Sequence, residues 1–311
     1  MQVAQRLRPF VSLVWGIVST RVTLNEAERR DSSRESKPGF LSRLSGKGEH
    51  LTSAVAVVSL GLIVGFICVP ILSLVVWTVD REAWYAMASP AAIQALLLSI
   101  KTTAISMLII IVLGTPAAYI LARVQFPGKR LIDGLIDIPA VLPPSAAGIA
   151  LLLAFGKMGL LGEYLNVFGI AIPFTTAAVV LAELFVATHF YVRQATVGFE
   201  RVPRNVEEAA MVDGASRATV FRKITVPLAY PALVAGAITA WARALGEFGG
   251  TIIFAGNLKG VTQTMPLAIY SSFESNLDGA VALSVLVLGF SLAVIVTVRL
   301  LTRRATEYQG D

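Results

Sequence analysis

Cysteine, histidine and charge are all scarce in this chain. Among its 311 residues there is one cysteine, Cys68, and there are two histidines, His50 and His189. A lone thiol excludes an intramolecular disulfide framework and a thiolate metal site, and Cys68, set in an apolar run, is expected to serve packing. Two distant histidines form no metal-ligand constellation, and His189 is expected to hydrogen-bond to a neighbouring helix. Charged residues make up only 15% of the chain against 55% hydrophobic, with a mean hydropathy of +0.72, which is too apolar for an ordinary soluble domain. The net charge of +6 and pI near 9.6 would suit a nucleic-acid ligand. The basic residues cluster instead at the ends of apolar runs, with no aromatic-interleaved basic surface, so the expected partner is membrane lipid and not nucleic acid. A Gly-x4-Gly-Lys-Ser/Thr loop is also missing. Its nearest approach, Ser45-Gly46-Lys47, lacks the leading glycine and follows no strand, so this chain cannot use ATP by that route alone.

What the chain has in quantity is long apolar runs. Residues 1–50 form a basic extension with nine Lys and Arg against five acids, and its apolar patch Phe10 to Val18 is too short to span. An interfacial helix followed by a disordered Ser- and Arg-rich tether is expected there, because no small-x-small cleavage site follows the patch. A first span is expected from about Leu51 to Val79, with Asp80-Arg81-Glu82 marking its exit. A second opens at Ser89 as N-cap and Pro90 in the first turn, runs to about Ala122 and should kink at Gly114-Thr115-Pro116. Lys101, near its outer start, is expected to snorkel. Arg123, Lys129 and Arg130 then form a loop. A third span is expected from about Ile138, carrying Pro139, Pro143, Pro144 and Ser145. Prolines at membrane depth free backbone carbonyls, which is tolerable where protein or a water-filled path satisfies them, so this end should line the interior.

A loop from Gly156 to Pro173 follows, with a short interfacial helix expected around Leu161 to Val167, and then a fourth span from Phe174 to Val192. A fifth is expected from about Pro231 to Phe254. Within it Arg243 and Glu247 stand four apart on one helical face, costly in an apolar span unless paired or facing water. They are either a structural ion pair at a helix interface or a pore-lining, gating pair. Gly246, Gly249 and Gly250 allow close backbone approach or local unwinding. A loop from Ala255 to Asp278 leads to a last span, Gly279 to Val298. Six spans result, the permease portion covering 51–300 and a tail 301–311. Lys and Arg outside the spans number twenty-one on one side and three on the other, which places both termini in the cytoplasm.

On that same side lies a charged island, residues 200–227. Pro203 suits the start of a helix with Val206, Ala209 and Ala210 on one face, ending at Gly214 in a C′ position. A second helix, capped by Ser216 and carrying Val220, Phe221 and Ile224, should end before Pro227. Glu208-Ala209-Ala210, three residues, Gly214, nine residues, Ile224 and then Pro227 resemble the EAA loop of importer-type ABC transporter permeases. That pattern is Glu-Ala-Ala, three residues, Gly, nine residues, Ile, one residue, Leu, Pro, and only the Leu differs, being Val226 here. The resemblance implies an all-α membrane protein with six transmembrane helices and a cytoplasmic two-helix coupling loop, the type I importer permease fold. It implies as partners an ABC ATPase dimer, an extracytoplasmic solute-binding protein and a second permease copy forming a homodimer. It implies no cofactor in this chain, ATP and Mg being held by the ATPase, and no enzymatic activity of its own. It further implies that Glu208, Ala209, Ala210, Gly214, Ile224 and Pro227 carry the coupling, with Glu208 expected either to cap its helix or to meet an ATPase arginine. The basic extension departs from the family, whose members usually begin near the first span.

Val141-Leu-Pro-Pro-Ser-Ala-Ala-Gly148, residues 242–251, Phe254-Ala-Gly-Asn257 and residues 262–270 further resemble permeases of molybdate and related oxyanion importers, over about residues 51–300. Pro144, Ser145, Arg243, Glu247 and Thr251 are then expected along the translocation path or its gate. Sulfate permeases share this architecture. A secondary transporter would need a coupling-ion site, and Glu247 is the one acid read at mid-span; an intramembrane enzyme would need a nucleophile with a base, or a metal cluster.

Overall fold

The computed structural model describes residues 40–78, 85 and 87–307, with side chains from Val55 to Leu300. Most of the basic extension, including Phe10 to Val18, and the Asp80-Arg81-Glu82 cluster lie outside the described residues. Regular structure among the described residues is entirely helical. Two units separate at Pro70. The first ends within helix α1, Phe40–Trp77, which begins before the expected Leu51 and has no fully buried residue in its apolar stretch Val55–Trp77. Cys68 is exposed on it, so the expected packing role has no counterpart among the described residues.

The second unit is built around α6, Thr176–Glu200, which buries a face against α2, Pro90–Arg123, and α9, Val226–Leu245. The approach is close because small residues line the contacts. A Cβ on Gly198 would stand 2.5 Å from Ala232 Cβ, and one on Gly114 would stand 2.9 Å from the Tyr191 ring. α2 starts as its sequence requires, with Ser89 Oγ accepting from Ala92 N, and it continues through Pro116 to Arg123. α6 likewise starts with Thr175 accepting from Ala178 N.

The third expected span is in fact two helices, α3 Lys129–Val141 and α4 Pro144–Phe155, bent by 117°. Lys129 and Arg130, expected in a loop, open α3. The break has a local cause: a proline disfavours the helical region in the residue before it, and Leu142 and Pro143, each preceding a proline, have ψ of 130° and 138°. α3 is clamped to α6 by Arg193, which donates from Nε and Nη2 to both carboxylate oxygens of Asp137 and from Nη1 to Asp133. His189 also contacts this helix, 3.2 Å from Ile136 O and 3.1 Å from Asp137, as expected of a histidine facing a neighbour. α5, Gly162–Val167, falls where the short interfacial helix was expected.

α9 starts at Val226, ahead of the expected Pro231, and the fifth run stops at Leu245, short of the expected Phe254. It resumes as α10, Gly249–Phe254, after a break at Gly246, Glu247 and Phe248. Within the loop expected after it lies a further helix, α11, Met265–Ser275, whose Met265 N donates to Ser99 Oγ of α2. The last helix, α12, Leu277–Glu307, outruns its expected ends. Among the described residues five helices suit a membrane crossing by length and composition, or six where the bent α3–α4 pair is counted as one span.

Candidate functional site

The charged island folds as two helical pieces joined at a glycine. α7, Arg204–Val212, follows Pro203 at its N-cap position. It ends in a Schellman arrangement, with Ala215 N bonded to Ala210 O and Gly214 N to Met211 O, which needs the left-handed φ of +89° found at Gly214. Ser216 caps α8, Arg217–Val220, by accepting from Thr219 N. The expected stop before Pro227 does not occur. The chain passes through a π turn, Phe221–Thr225, straight into α9, with Val226 N reaching back to Phe221 O. Pro227, having no N–H to give the preceding turn, sits at the second position of α9, directly after the π turn.

This peg presents an apolar outer face. Val206, Met211 and Val212 are exposed, the last at 87%, and Glu208, Ala209 and Gly214 are exposed beside them. Ala210, Ile224 and Pro227 are half-buried. Glu208 makes no hydrogen bond or ion pair with another described residue and does not cap α7. Its neighbour Glu207, which sequence reasoning passed over, is buried and paired with Arg123 at 3.2 Å. Beside the peg an open groove of about 730 Å³ is lined by Tyr119, Arg123, Arg204, Glu208, Arg217 and Phe221.

A second constellation forms where the two broken helices meet. A Cβ on Gly249 would fall 2.6 Å from Pro144 Cβ, and one on Gly148 would fall 2.9 Å from Gly250 O. The structure thereby brings Pro144 and Ser145 against the segment carrying Glu247 and Thr251. Arg243 Nη1 lies 2.7 Å from Glu247 Oε2, and Gly250 N donates to Glu247 Oε1 at 2.7 Å. The carboxylate thus ties the Arg243 side chain in the last turn of α9 to the first turn of α10, while Arg243 remains half-exposed. Pro144 and Ser145 are exposed, whereas Thr251 is fully buried with its hydroxyl unpartnered.

Glu247 is not the single mid-span acid. Glu183 in α6 is 2% exposed, and its two oxygens meet the hydroxyls of Thr102 at 2.7 Å and Ser106 at 2.8 Å on α2. A charged-type residue within Val179 to Thr188 was the available signal. Among the described residues no group of three or more His, Cys, Asp or Glu is placed to hold a metal.

Apolar helices of spanning length, broken helices meeting at glycines and a glycine-jointed peg together define a polytopic membrane transport subunit. A family model, binding-protein-dependent transport system inner membrane component, matches residues 110–307, and the chain belongs to that family. It is therefore a multi-pass inner-membrane permease component. It is 40% identical over 242 residues to the molybdenum transport system permease protein ModB of Mycobacterium tuberculosis, covering 78% of this chain and 92% of the relative. With ModB of Escherichia coli K12 it shares 36% over 220 residues, 70% of this chain and 96% of the relative. A probable sulfate transport system permease, cysT of Chlorokybus atmophyticus, is 32% identical over 257 residues, 81% and 90% of the two chains. Among solved structures, a chain of a bacterial ABC transporter that imports the polysaccharide alginate matches with a TM-score of 0.66 at 15% identity, over 84% of this chain and 99% of that one. A chain of the MetNI methionine ABC transporter matches at 0.53 and 18%, over 72% and 98%. At these identities the structural likeness speaks for the fold.

Proposed function

We propose that this chain is the permease subunit of an ATP-driven importer of molybdate, pairing with a second copy to enclose the translocation path. The observation that carries the reading is the similarity to molybdenum permeases, which covers 92% and 96% of two such relatives; the family match over residues 110–307 takes in the peg and both helix breaks. The excess of Lys and Arg on their side favours a cytoplasmic location for both termini and the peg. There Glu208, Ala209, Ala210, Gly214, Ile224 and Pro227 form the docking surface for a dimeric ATPase. ATP and Mg bind to that partner, and this chain carries no cofactor; an extracytoplasmic binding protein delivers the anion to the opposite face. Closure of the ATPase dimer draws the pegs together, and the two permease halves exchange inward-open and outward-open packings. The breaks at Pro144 and Glu247 supply the irregular backbone that such a path tolerates. Ser145, Thr251 and Arg243 offer donors to an oxyanion, and Glu247 neutralises the arginine between passages.

Similarity to a sulfate permease favours a second cargo, sulfate. The test is reconstitution with the ATPase and binding protein in liposomes. Molybdate, and tungstate as its near-isostere, should stimulate ATP hydrolysis and accumulate inside, while sulfate should do neither. Stimulation by sulfate alone would replace the molybdate reading.

A further inference from the structure

α7 carries two adjacent carboxylates with opposite surroundings. Glu208 is exposed on the outer face of the peg, whereas Glu207 is 8% exposed and turned toward the bundle. Glu207 Oε1 accepts a hydrogen bond from Thr225 Oγ1 at 2.6 Å and lies 3.2 Å from Arg123 Nη2. The same Arg123 nitrogen donates to Val202 O at 2.8 Å. These four residues belong to the end of α2, the connection from α6 to α7, the first turn of α7 and the π turn that opens into α9.

We propose that Glu207 is the positioning residue that converts displacement of the peg into movement of the membrane helices. This rests on the coupling function proposed above. Glu208 and the apolar outer face hold the ATPase; Glu207 holds the peg to α2 and α9 at once. A peg on a loose tether would shift without tilting anything. Anchored through one carboxylate oxygen, α7 moves only if Arg123 and Thr225 move with it, and Thr225 stands at the root of the helix carrying Arg243 and ending at Glu247. The pair is screened little because both side chains are about nine-tenths buried. Loss of either partner leaves an uncompensated charge that loosens the joint. The π turn fits this role, since a turn with one extra residue has slack to be held open or closed from the side.

The experiment measures molybdate transported per ATP hydrolysed by the full complex in proteoliposomes. Glu207→Ala should retain the ATPase on co-purification and keep the KM for ATP within about two-fold, while transport per ATP falls at least about five-fold. Thr225→Val, which leaves every charge in place, should shift the ratio in the same direction by a smaller factor. Glu207→Gln keeps an acceptor for both partners but not the charge opposite Arg123, and should restore only part of the coupling. An unchanged ratio in Glu207→Ala overturns the proposal, as does a proportional fall in transport and hydrolysis, which marks simple loss of folded complex. Should Glu207→Ala not assemble, an unchanged ratio in Thr225→Val overturns it. Gly214→Val, strained at a left-handed φ on the peg itself, separates the two readings. If it transports with wild-type coupling, the peg reading fails. If it uncouples and Glu207→Ala does not, only the assignment of Glu207 fails.

Discussion

Glu183 shows how one residue's surroundings decide its cost. An acid at membrane depth is expensive unless something meets it, and here both oxygens face hydroxyls of α2. Each hydroxyl has one proton to give, and the shorter contacts, 2.7 and 2.8 Å against 3.3 Å to Ser99 O and Val180 O, direct it to Glu183, so both carboxylate oxygens have a donor. Glu183→Gln preserves size and polarity and should unfold close to the wild-type temperature. Glu183→Ala deletes buried atoms at the α2–α6 contact and should destabilise by about 2–3 kcal/mol. Thermal unfolding in detergent decides this, and equal midpoints for the alanine variant would refute it. The acid was visible in the sequence; its hydroxyl partners, around eighty residues away, were not.

Elements were legible where the cause was local. Ser89 and Ser216 cap helices as their side chains allow, and Gly214 ends α7 as a left-handed residue. The prolines at 139, 143 and 144 announced irregular backbone but not its form, because a kinked span and a 117° bend leave the same residues in the same order. The second peg helix was expected to end before Pro227, since proline lacks a donor. It continues because a π turn precedes it and proline occupies the first turn beyond, an option that periodicity does not distinguish. Contact between the two broken helices yields a prediction. Gly148→Ala puts a Cβ 2.9 Å from the backbone oxygen of Gly250, which cannot yield as a side chain would, so α10 must shift. Overpacking of this kind costs about 1–3 kcal/mol, and transport should fall with it. Gly134→Ala in α3, with nothing within 4 Å, is the control and should be neutral or slightly stabilising. Equal transport by the two variants would mean that the glycine contact has no functional weight.

For the whole molecule the proposed orientation is testable without any partner. Val212→Cys, in a background with Cys68 replaced by serine, should react with a membrane-impermeant maleimide in inside-out vesicles and not in intact cells. Labelling in intact cells would put the peg outside and remove the coupling reading altogether.

Membrane residence, the apolar runs, the island at 200–227 and the family resemblance were legible in the sequence alone, though not the breaks in the third and fifth runs. Hydropathy, helix caps and motif spacing act over a few to a few tens of residues, and a linear reading captures them. Only the tertiary structure decided that Glu207 is buried while Glu208 is exposed, that Glu183 is satisfied by Thr102 and Ser106, and that Pro144 meets Gly249. Each depends on packing that joins residues distant in sequence, and two neighbouring glutamates cannot be told apart until the fold turns one inward.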